Sequence, residues 1–341
     1  MTGGVRLGGT LTVEGALRAG FDHVALCLGA GRPTVLDIPD GLATGVRQAS
    51  DVLMALQLTG AGKADSLADL QIRLPVVVIG GGLTAVDTAT EALAYYPLQV
   101  EKFLSRYEAL CDEAGEDQVR ADWSAAEATI ADEFIAHAWA IRAERARARE
   151  DNRPPEIGRM LDEWGGATIV YRRRLIDSPA YIRNHEEVQK ALEEGVRIAE
   201  LLSPERVVVD DDRRAVGLEV RHQTFERGRL EPGSRTVTLP ARAILVAAGT
   251  RPNTVYAQEH PETVTVEGRF FRAVDPDGTP VSPEDRNKPQ QAHVLADAGR
   301  HTGRVSFFGD LHPSFAGSVV SAMASARRGH RVVDAMLRKR P

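Results

Sequence analysis

The chain has 341 residues, of which 43% are hydrophobic and 26% are charged. A chain of this length and apolar content can bury a sizeable core, and at roughly 150 residues per domain it predicts about two domains. Its net charge of −6 argues against a dedicated nucleic-acid-binding protein. No apolar run is long enough for a membrane span, and no secretory signal is visible. We therefore expect a cytoplasmic protein that binds neither nucleic acid nor membranes.

The first predicted elements are short. An apolar strand within residues 21–31 ends in glycines, and an amphipathic helix covers Ala49–Leu58. The β-branched run at 74–79 predicts a strand buried on both faces, as in a parallel sheet. It leads directly into Gly80-Gly81-Gly82 and then into a helix rich in small residues.

A long helical insertion is predicted from about residue 97 to residue 165. This stretch is charged and poor in glycine, and Ile130, Phe134, Ala138 and Ile141 recur at helical spacing. The arginine-rich residues 142–150 are typical of a solvated helix face rather than of a nucleic-acid patch.

The second half alternates strands and helices. A buried strand is predicted at 167–171, a helix at 185–195, an antiparallel β-meander within 204–240, and buried strands at 243–250 and 304–310. A long helix over 317–339 follows. Strand–helix alternation with an antiparallel insert predicts a doubly wound α/β fold.

The pattern Gly80-x-Gly82-x-x-Ala85 follows a strand and precedes a helix, which is the context of a dinucleotide-binding turn. In such a turn Gly80 permits the tight bend, Gly82 lets a diphosphate approach the backbone, and Ala85 lets helix and strand pack closely. The N–H groups and the dipole at the helix start favour the anionic diphosphate.

Arginines stand where the adenosine ribose is expected. The second strand of such a unit usually ends in an acid that selects NAD about 20 residues after the glycines. Here the next strand ends in Tyr171-Arg172-Arg173-Arg174, so the helical stretch must be inserted before it. Guanidinium groups suit the 2′-phosphate of NADP, which an acid would repel. Arg172 and Arg173 therefore predict NADPH.

The ordered set of motifs resembles the small (β) subunit of glutamate synthase and related flavin-dependent NADPH oxidoreductases. These include the electron-transfer domains of dihydropyrimidine dehydrogenase and the NADPH–ferredoxin oxidoreductase subunits. The resemblance rests on the segments at 77–87, 170–173, 178–180 with Glu186, 191–196, 26–30, 246–253, 308–310 and 317–323. It covers most of the chain apart from the insertion and residues 270–300.

The resemblance implies two Rossmann-like dinucleotide-binding domains of the three-layer ββα type. Residues 1–65 and 253–341 would form an incomplete FAD-binding domain, and residues 72–252 the NAD(P)H-binding domain with the insertion. The NADPH diphosphate would lie on Gly80, Gly82, Leu83, Thr84 and Ala85 and the 2′-phosphate on Arg172 and Arg173, with Ala248 and Gly249 at the mouth of the site. FAD would lie against Gly29, Gly309, Asp310, Ser318 and Val319.

Two departures from the family pattern concern flavin. No Gly-x-Gly-x-x-Gly turn for the FAD diphosphate precedes Phe21, and Leu28 stands where the family usually has threonine. The chain is therefore expected to correspond to the C-terminal two-thirds of a longer flavoprotein or to one subunit of a split one. A missing N-terminal FAD segment would be its partner, and we expect it to retain little flavin alone.

The function predicted is that of an NADPH-dependent flavin oxidoreductase that passes electrons to an iron–sulfur subunit or domain. No catalytic acid or base is predicted, because hydride transfer needs alignment rather than proton transfer, and no metal ligands are predicted. Cys27 and Cys111 form no Cys-x-x-Cys pair, which disfavours a disulfide reductase. A short-chain dehydrogenase is also disfavoured, since Tyr95, Tyr171 and Tyr181 are not followed by the required lysine four residues later. A non-catalytic nucleotide-binding or scaffold protein, docking a partner through the insertion, remains the alternative.

Overall fold

The computed structural model describes residues 3–68, 70–226, 229–285 and 288–338. The helices in these residues are α1 (Val13–Arg18), α2 (Ala49–Leu58), α3 (Leu83–Ala114), α4 (Glu116–Arg120), α5 (Ala125–Glu150), α6 (Ile157–Glu163), α7 (Pro179–Glu193), α8 (Val255–Glu259) and α9 (Val319–Arg338). The strands are β1 (Val24–Leu26), β2 (Arg32–Pro33), β3 (Val46–Gln48), β4 (Val76–Ile79), β5 (Ala167–Tyr171), β6 (Arg197–Glu200), β7 (Leu202–Val209), β8 (Ala215–Glu226), β9 (Arg229–Pro240), β10 (Ala243–Val246), β11 (Thr250–Arg251), β12 (Val266–Glu267), β13 (Phe270–Phe271), β14 (Ala273–Val274), β15 (Pro280–Val281), β16 (Leu295–Ala296) and β17 (Val305–Phe307).

The chain divides into two compact units. One contains the residues up to Thr34 together with those from Thr250 onward, and the other is Val35–Gly249. The sequence placed the first boundary after residue 65. The structure places it after Thr34, because β3 pairs in parallel with β10 and so carries the following helix α2 into the second unit.

The second unit contains the predicted parallel sheet. Its strand order is β3-β10-β4-β5-β6, and all four neighbouring pairs are parallel. All four residues of β4 and all four of β10 are buried, as expected for central strands covered on both faces. Together with the sheet of the first unit, this confirms the predicted α/β class with Rossmann-like parallel strands.

Helix α3 packs closely on this sheet because its inner face is made of small residues. Ala85, Ala89 and Ala92 are fully buried, and the helix has neither side-chain cap nor acidic residue in its first turn. It continues through Pro97 to Ala114 without a break. The predicted insertion therefore begins as an extension of the helix that starts at the glycine turn.

The insertion is part of the main core. Helix α5 starts with a capping box in which Ser124 and Glu127 satisfy each other's backbone N–H groups. From its buried face, Phe134 and Ile141 join the same apolar cluster as Val76 and Val78 of the sheet. The insertion predicted over residues 97–165 is thus helical as expected, but it does not form a separate body.

Polar contacts also hold α5 against α3. Arg142 on α5 forms ion pairs of 2.8 Å with both Glu101 and Glu108 on α3. The hydroxyl of Tyr96 lies 2.7 Å from Nδ1 of His137, whose ring stacks on Trp164 at 3.7 Å between centroids. Because Tyr96 is fully buried, this contact supplies the partner that its hydroxyl requires.

The predicted meander is an antiparallel three-stranded sheet, β7-β8-β9, in the second unit. Its long hairpin follows the alternating pattern expected from the sequence, with Leu218 and Val220 fully buried on one face.

The first unit is built on a sheet of order β1-β17-β16-β14-β15. Strands β1 and β17 are parallel, whereas the pairings of β14 with β15 and β16 and of β16 with β17 are antiparallel. Leu26 and Phe307 are buried in its core, and α9 buries Ser325 and Gly329. Within the described ranges of both units, none of the helices combines the length and apolarity that a membrane crossing needs.

Candidate functional site

The predicted NADPH residues follow three neighbouring strands of the second unit. Ile79 at the end of β4 lies in register with Val170 on β5 and with Val246 on β10. The chain segments beginning at Gly80, Arg172 and Ala247 therefore leave the sheet at the same edge. In open α/β sheets this carboxyl edge is where ligands bind.

Close packing explains two of the three glycines in the turn. A Cβ on Gly80 would overlap the carbonyl group of Ala247, whose carbon is only 3.0 Å from the modified position. A Cβ on Gly81 would lie within 2.6 Å of Cζ of Tyr171. Neither glycine has a positive φ. Glycine is therefore required at position 80 because the turn packs against Ala247, directly after β10. The sequence analysis explained Gly80 only by the tight bend.

Gly82 is open on the side where a ligand is expected. A Cβ there would meet no atom within 4 Å, and Gly82 is the N-cap residue of α3, with no side chain capping the helix. The first N–H groups of a helix, here those of Leu83 and Thr84, have no partner within the helix. Ala85 is fully buried against the sheet. An uncapped helix start beside an open glycine fits an anionic diphosphate.

Arg172 and Arg173 are exposed, whereas the third arginine is engaged. Arg174 forms an ion pair of 2.7 Å with Asp177 and lies over the Phe225 ring at 5.0 Å. No described residue pairs with Arg172 or Arg173. The backbone N–H of Leu201 donates to the Arg173 carbonyl at 3.1 Å and so fixes this segment. Two guanidinium groups thus remain available at the sheet edge, as the sequence predicted.

Ala248 and Gly249 follow β10 and are exposed. Gly249 has a φ of +91° and a Cβ there would meet no atom within 4 Å, so this turn is also open. Since β10 neighbours β4, the structure brings these residues to the edge that carries the glycine turn.

An acidic side chain lies one turn into α3. Burial raises the pKa of Asp87, and Glu187 and Glu91 raise it further. The sequence analysis did not single out Asp87, although its spacing of four from Glu91 on one helix face is a visible signal.

The predicted flavin residues lie in the first unit, again after neighbouring parallel strands. Leu26 of β1 is in register with Phe307 of β17, so Gly29 and Gly309 follow at the same edge. Both have positive φ values, +67° and +66°, which favour glycine. The N–H of Gly309 donates to Ser325 Oγ at 2.8 Å. Ser325 was missed by the sequence analysis, where it appears only as one small residue among others.

Asp310 organises the loop that leads into α9. Its carboxylate accepts a hydrogen bond of 2.7 Å from the Gly317 backbone N–H, which brings the start of α9 close to it. Ser318 Oγ accepts from the Ser321 N–H at 3.1 Å, and Val319 is 74% exposed. The loop therefore places a carboxylate and an exposed helix start together, which fits the predicted ribityl and pyrimidine contacts of a flavin.

The chain is similar to a known protein family and to a curated protein. Residues 6–281 match the pyridine nucleotide-disulphide oxidoreductase family. The uncharacterized protein RP006 of Rickettsia prowazekii (strain Madrid E) is 34% identical over an alignment of 346 positions, which covers 98% of this chain and 40% of that protein. The chain thus spans less than half the length of this relative.

Several solved structures are similar to the chain. FprA from Mycobacterium tuberculosis, in complex with NADPH, is 14% identical with a TM-score of 0.47, over 98% of this chain and 67% of that one. The ferredoxin reductase for the CYP199A2 system of Rhodopseudomonas palustris is 14% identical with a TM-score of 0.43, over 93% and 52%. By its match over residues 6–281, the chain belongs to the pyridine nucleotide-disulphide oxidoreductase family, and this membership implies FAD and NAD(P)H as cofactors.

Proposed function

We propose that the chain is the NADPH-handling module of a flavin oxidoreductase similar to the small subunit of glutamate synthase, and that it passes electrons to an iron–sulfur subunit or domain. The observation that carries this proposal is the single sheet edge formed after β4 and β5. It combines an open glycine at an uncapped helix start with two exposed arginines that no described residue pairs.

The residues of this edge fit NADPH and not only a generic anion. The turn at Gly82 offers backbone N–H groups to the diphosphate. Arg172 and Arg173 offer guanidinium donors to the 2′-phosphate, and Arg173 also lines a cavity of about 630 Å³ together with Phe225 and Arg229 of the β8–β9 hairpin. Charge-assisted hydrogen bonds to a phosphate are about twice as strong as neutral ones, so these arginines favour NADPH over NADH.

The first unit contributes the residues for FAD. Asp310 would accept hydrogen bonds from the ribityl hydroxyls, and the exposed start of α9 at Val319 would face the pyrimidine end of the ring with its partial positive charge. Bound FAD would supply the chemistry of accepting a hydride and of passing electrons on singly. The protein's own task would be alignment and electrostatics, so we assign the role of acid or base in this step to none of the described side chains.

A non-catalytic role as a nucleotide-binding or scaffold protein is the second candidate. It is favoured by a cavity of about 350 Å³ between α3 and α5, outside the sheet edge, which is lined by Tyr95, Phe103, Trp123 and Phe134 among others. Such a cavity suits docking through the insertion.

The test measures binding of NADPH and NADH by fluorescence to the purified chain. Replacing Arg172 and Arg173 by alanine removes two charge-assisted hydrogen bonds, worth about 1.5–3 kcal/mol each, so NADPH should bind at least about tenfold more weakly and NADH almost unchanged. Arg174→Ala is the control, because Arg174 is already paired with Asp177 and should leave the preference for NADPH intact. Equal losses for both cofactors would contradict the 2′-phosphate assignment.

Reduction of bound flavin by NADPH distinguishes the two candidate functions. A flavin oxidoreductase is expected to show flavin absorption that bleaches when NADPH is added to the chain reconstituted with FAD. Tight NADPH binding without any flavin association would favour the non-catalytic role.

A further inference from the structure

A groove runs along the first half of α9, in the first unit. One wall is the helix face that carries Ser321, Arg327, Arg328 and Arg331, and the other is the irregular segment with Lys288, Gln290 and Ala292. The groove encloses about 920 Å³. We call it the α9 groove.

Four cationic side chains line the α9 groove. They are Lys288, Arg327, Arg328 and Arg331, and none of the described residues that line the groove is acidic. Glu284 and Asp285 precede Lys288 on the facing segment and do not line the groove, and Glu284 accepts a hydrogen bond from the backbone N–H of Gln290 at 2.7 Å. Within the described parts of the chain none of the four cations forms an ion pair. Uncompensated like charges in one concave site repel each other, so an anion bound there would stabilise the site.

The groove has a fixed width and polar donors besides its charges. Arg328 Nη1 donates to the Pro289 carbonyl at 2.7 Å, which ties the helix to the facing segment. Ser321 and Gln290 add a hydroxyl and an amide, while Ala292 and Ala324 form a small-residue floor that leaves room for a ligand. Arg327 and Arg331 are four residues apart and so neighbours on one helix face.

We infer that the α9 groove binds a small organic molecule that carries a diphosphate. Guanidinium groups match phosphate oxygens with paired N–H donors, and several of them converging in a concavity suit adjacent phosphates better than a single carboxylate. The volume lies in the range of small-molecule sites, whereas an acidic protein surface would be met by a flatter face. This assignment goes beyond the proposed NADPH site, which lies in the other unit and shares no residue with the groove. It adjoins the proposed flavin contacts, because Ser318 also lines the groove.

The experiment is calorimetric titration of the full chain with inorganic pyrophosphate, at low and at moderate salt. Replacing Arg327 and Arg331 together by alanine should weaken pyrophosphate binding by about tenfold or more, and added salt should weaken binding to the unaltered chain. Arg338→Ala is the matched control, because Arg338 lies on the same helix but outside the groove and pairs with Asp334 at 3.0 Å. It should bind pyrophosphate as the unaltered chain does. Thermal unfolding of each variant shows that it is folded.

Titrations with ADP and FAD identify the source of the diphosphate. If FAD competes with pyrophosphate and the loss of Arg327 and Arg331 weakens both, the groove takes the diphosphate of FAD. If ADP competes and FAD does not, the groove takes a separate nucleotide. Both results support the assignment. No pyrophosphate binding, or binding that the double variant retains in full, would overturn it without affecting the NADPH assignment at Arg172 and Arg173.

Discussion

The ring of Tyr171 packs directly on the backbone of Gly81. No side chain fits between them, since a Cβ on Gly81 would lie within 2.6 Å of the ring carbon Cζ. Tyr171 is the last residue of β5 and Gly81 belongs to the turn after β4, so this contact fixes the spacing between the glycine turn and the arginines that follow Tyr171.

Gly81→Ala should destabilise the chain and weaken NADPH binding. The added methyl group overlaps the Tyr171 ring, and overpacking of this kind costs about 1–3 kcal/mol. Chemical denaturation measures the loss of stability and fluorescence titration the loss of affinity.

Gly82→Ala is the comparison that separates folding from binding. Its Cβ would meet no atom within 4 Å, and the φ of −94° suits alanine, so stability should be preserved. The methyl group would stand where the diphosphate approaches, and NADPH affinity should fall. A Gly82→Ala chain that binds NADPH normally would show that the diphosphate does not approach this backbone.

Much of the parallel sheet could be predicted because its central strands are continuous apolar runs. The residues of β4, β5 and β10 need little more than composition and flanking turns to be recognised. Strand β3 could not be predicted, since Val46 and Gln48 are only half-buried, Arg47 is exposed, and its partner β10 is nearly 200 residues away. Pairing between segments so far apart in the sequence depends on closure of a long loop, which a local sequence pattern does not reveal.

In the insertion and in the site, too, local features could be predicted from the sequence, whereas contacts between distant segments could not. Helical spacing of Ile130, Phe134 and Ile141 predicted an apolar face but not that this face belongs to the core of the sheet. Arg172 and Arg173 could be proposed from residue type and position. The packing of Tyr171 on Gly81 could not, because it depends on the distance between two strands.

Phe134→Ala should destabilise the whole second unit. Phe134 is 3% exposed within the shared core cluster, and removing a buried phenylalanine costs about 3–5 kcal/mol. Trp139→Ala on the same helix is the control, since Trp139 is 52% exposed. Its ring lies against the Arg142 guanidinium, with 5.0 Å between Cζ and the ring centroid. Denaturation curves should separate the two variants clearly. Equal stability would mean that α5 packs as an independent appendage.

Glu144 should make the stability of the insertion acid-sensitive. A hydrogen bond from Arg153 at 2.6 Å, with a second from the Glu156 N–H, lowers the pKa of this carboxyl from 4.5 to about 2. A group with a lowered pKa in the folded state contributes stability above its unfolded pKa and loses it as the pH falls through the folded value. That window runs from 4.5 down to about 2.

Glu144→Gln should therefore lower the thermal midpoint at pH 7, and the difference from the unaltered chain should shrink as the pH falls through this window. Glu150→Gln, at the exposed end of the same helix, should show no such trend. If the difference in thermal midpoint between Glu144→Gln and the unaltered chain stayed constant with pH, the result would argue against the ion pair of Glu144 with Arg153.

Asp87→Asn should stabilise the chain at neutral pH. Because the pKa of Asp87 is raised, its ionised form is less favourable in the folded than in the unfolded state, and the penalty disappears only below the unfolded value of 3.8. Removing the like-charge pair with Glu91 should gain about 0.2–0.5 kcal/mol. Chemical denaturation at pH 7 measures the gain, with Asp51→Asn at an exposed position of α2 as the control. A loss of stability in Asp87→Asn would mean that the carboxylate has a favourable partner.

The packing of helix α3 in both the sheet region and the insertion has a consequence for how the second unit unfolds. It starts at the glycine turn, ends 32 residues later in the insertion, and buries residues of both regions in one cluster. Segments that share a core exchange their amide protons together, through the same large opening event rather than by local fraying. We therefore expect the amides in the middle of α5 to be protected from exchange to about the same degree as those of β4. A destabilising substitution in the insertion should therefore lower the fraction of molecules in which the dinucleotide-binding turn is folded.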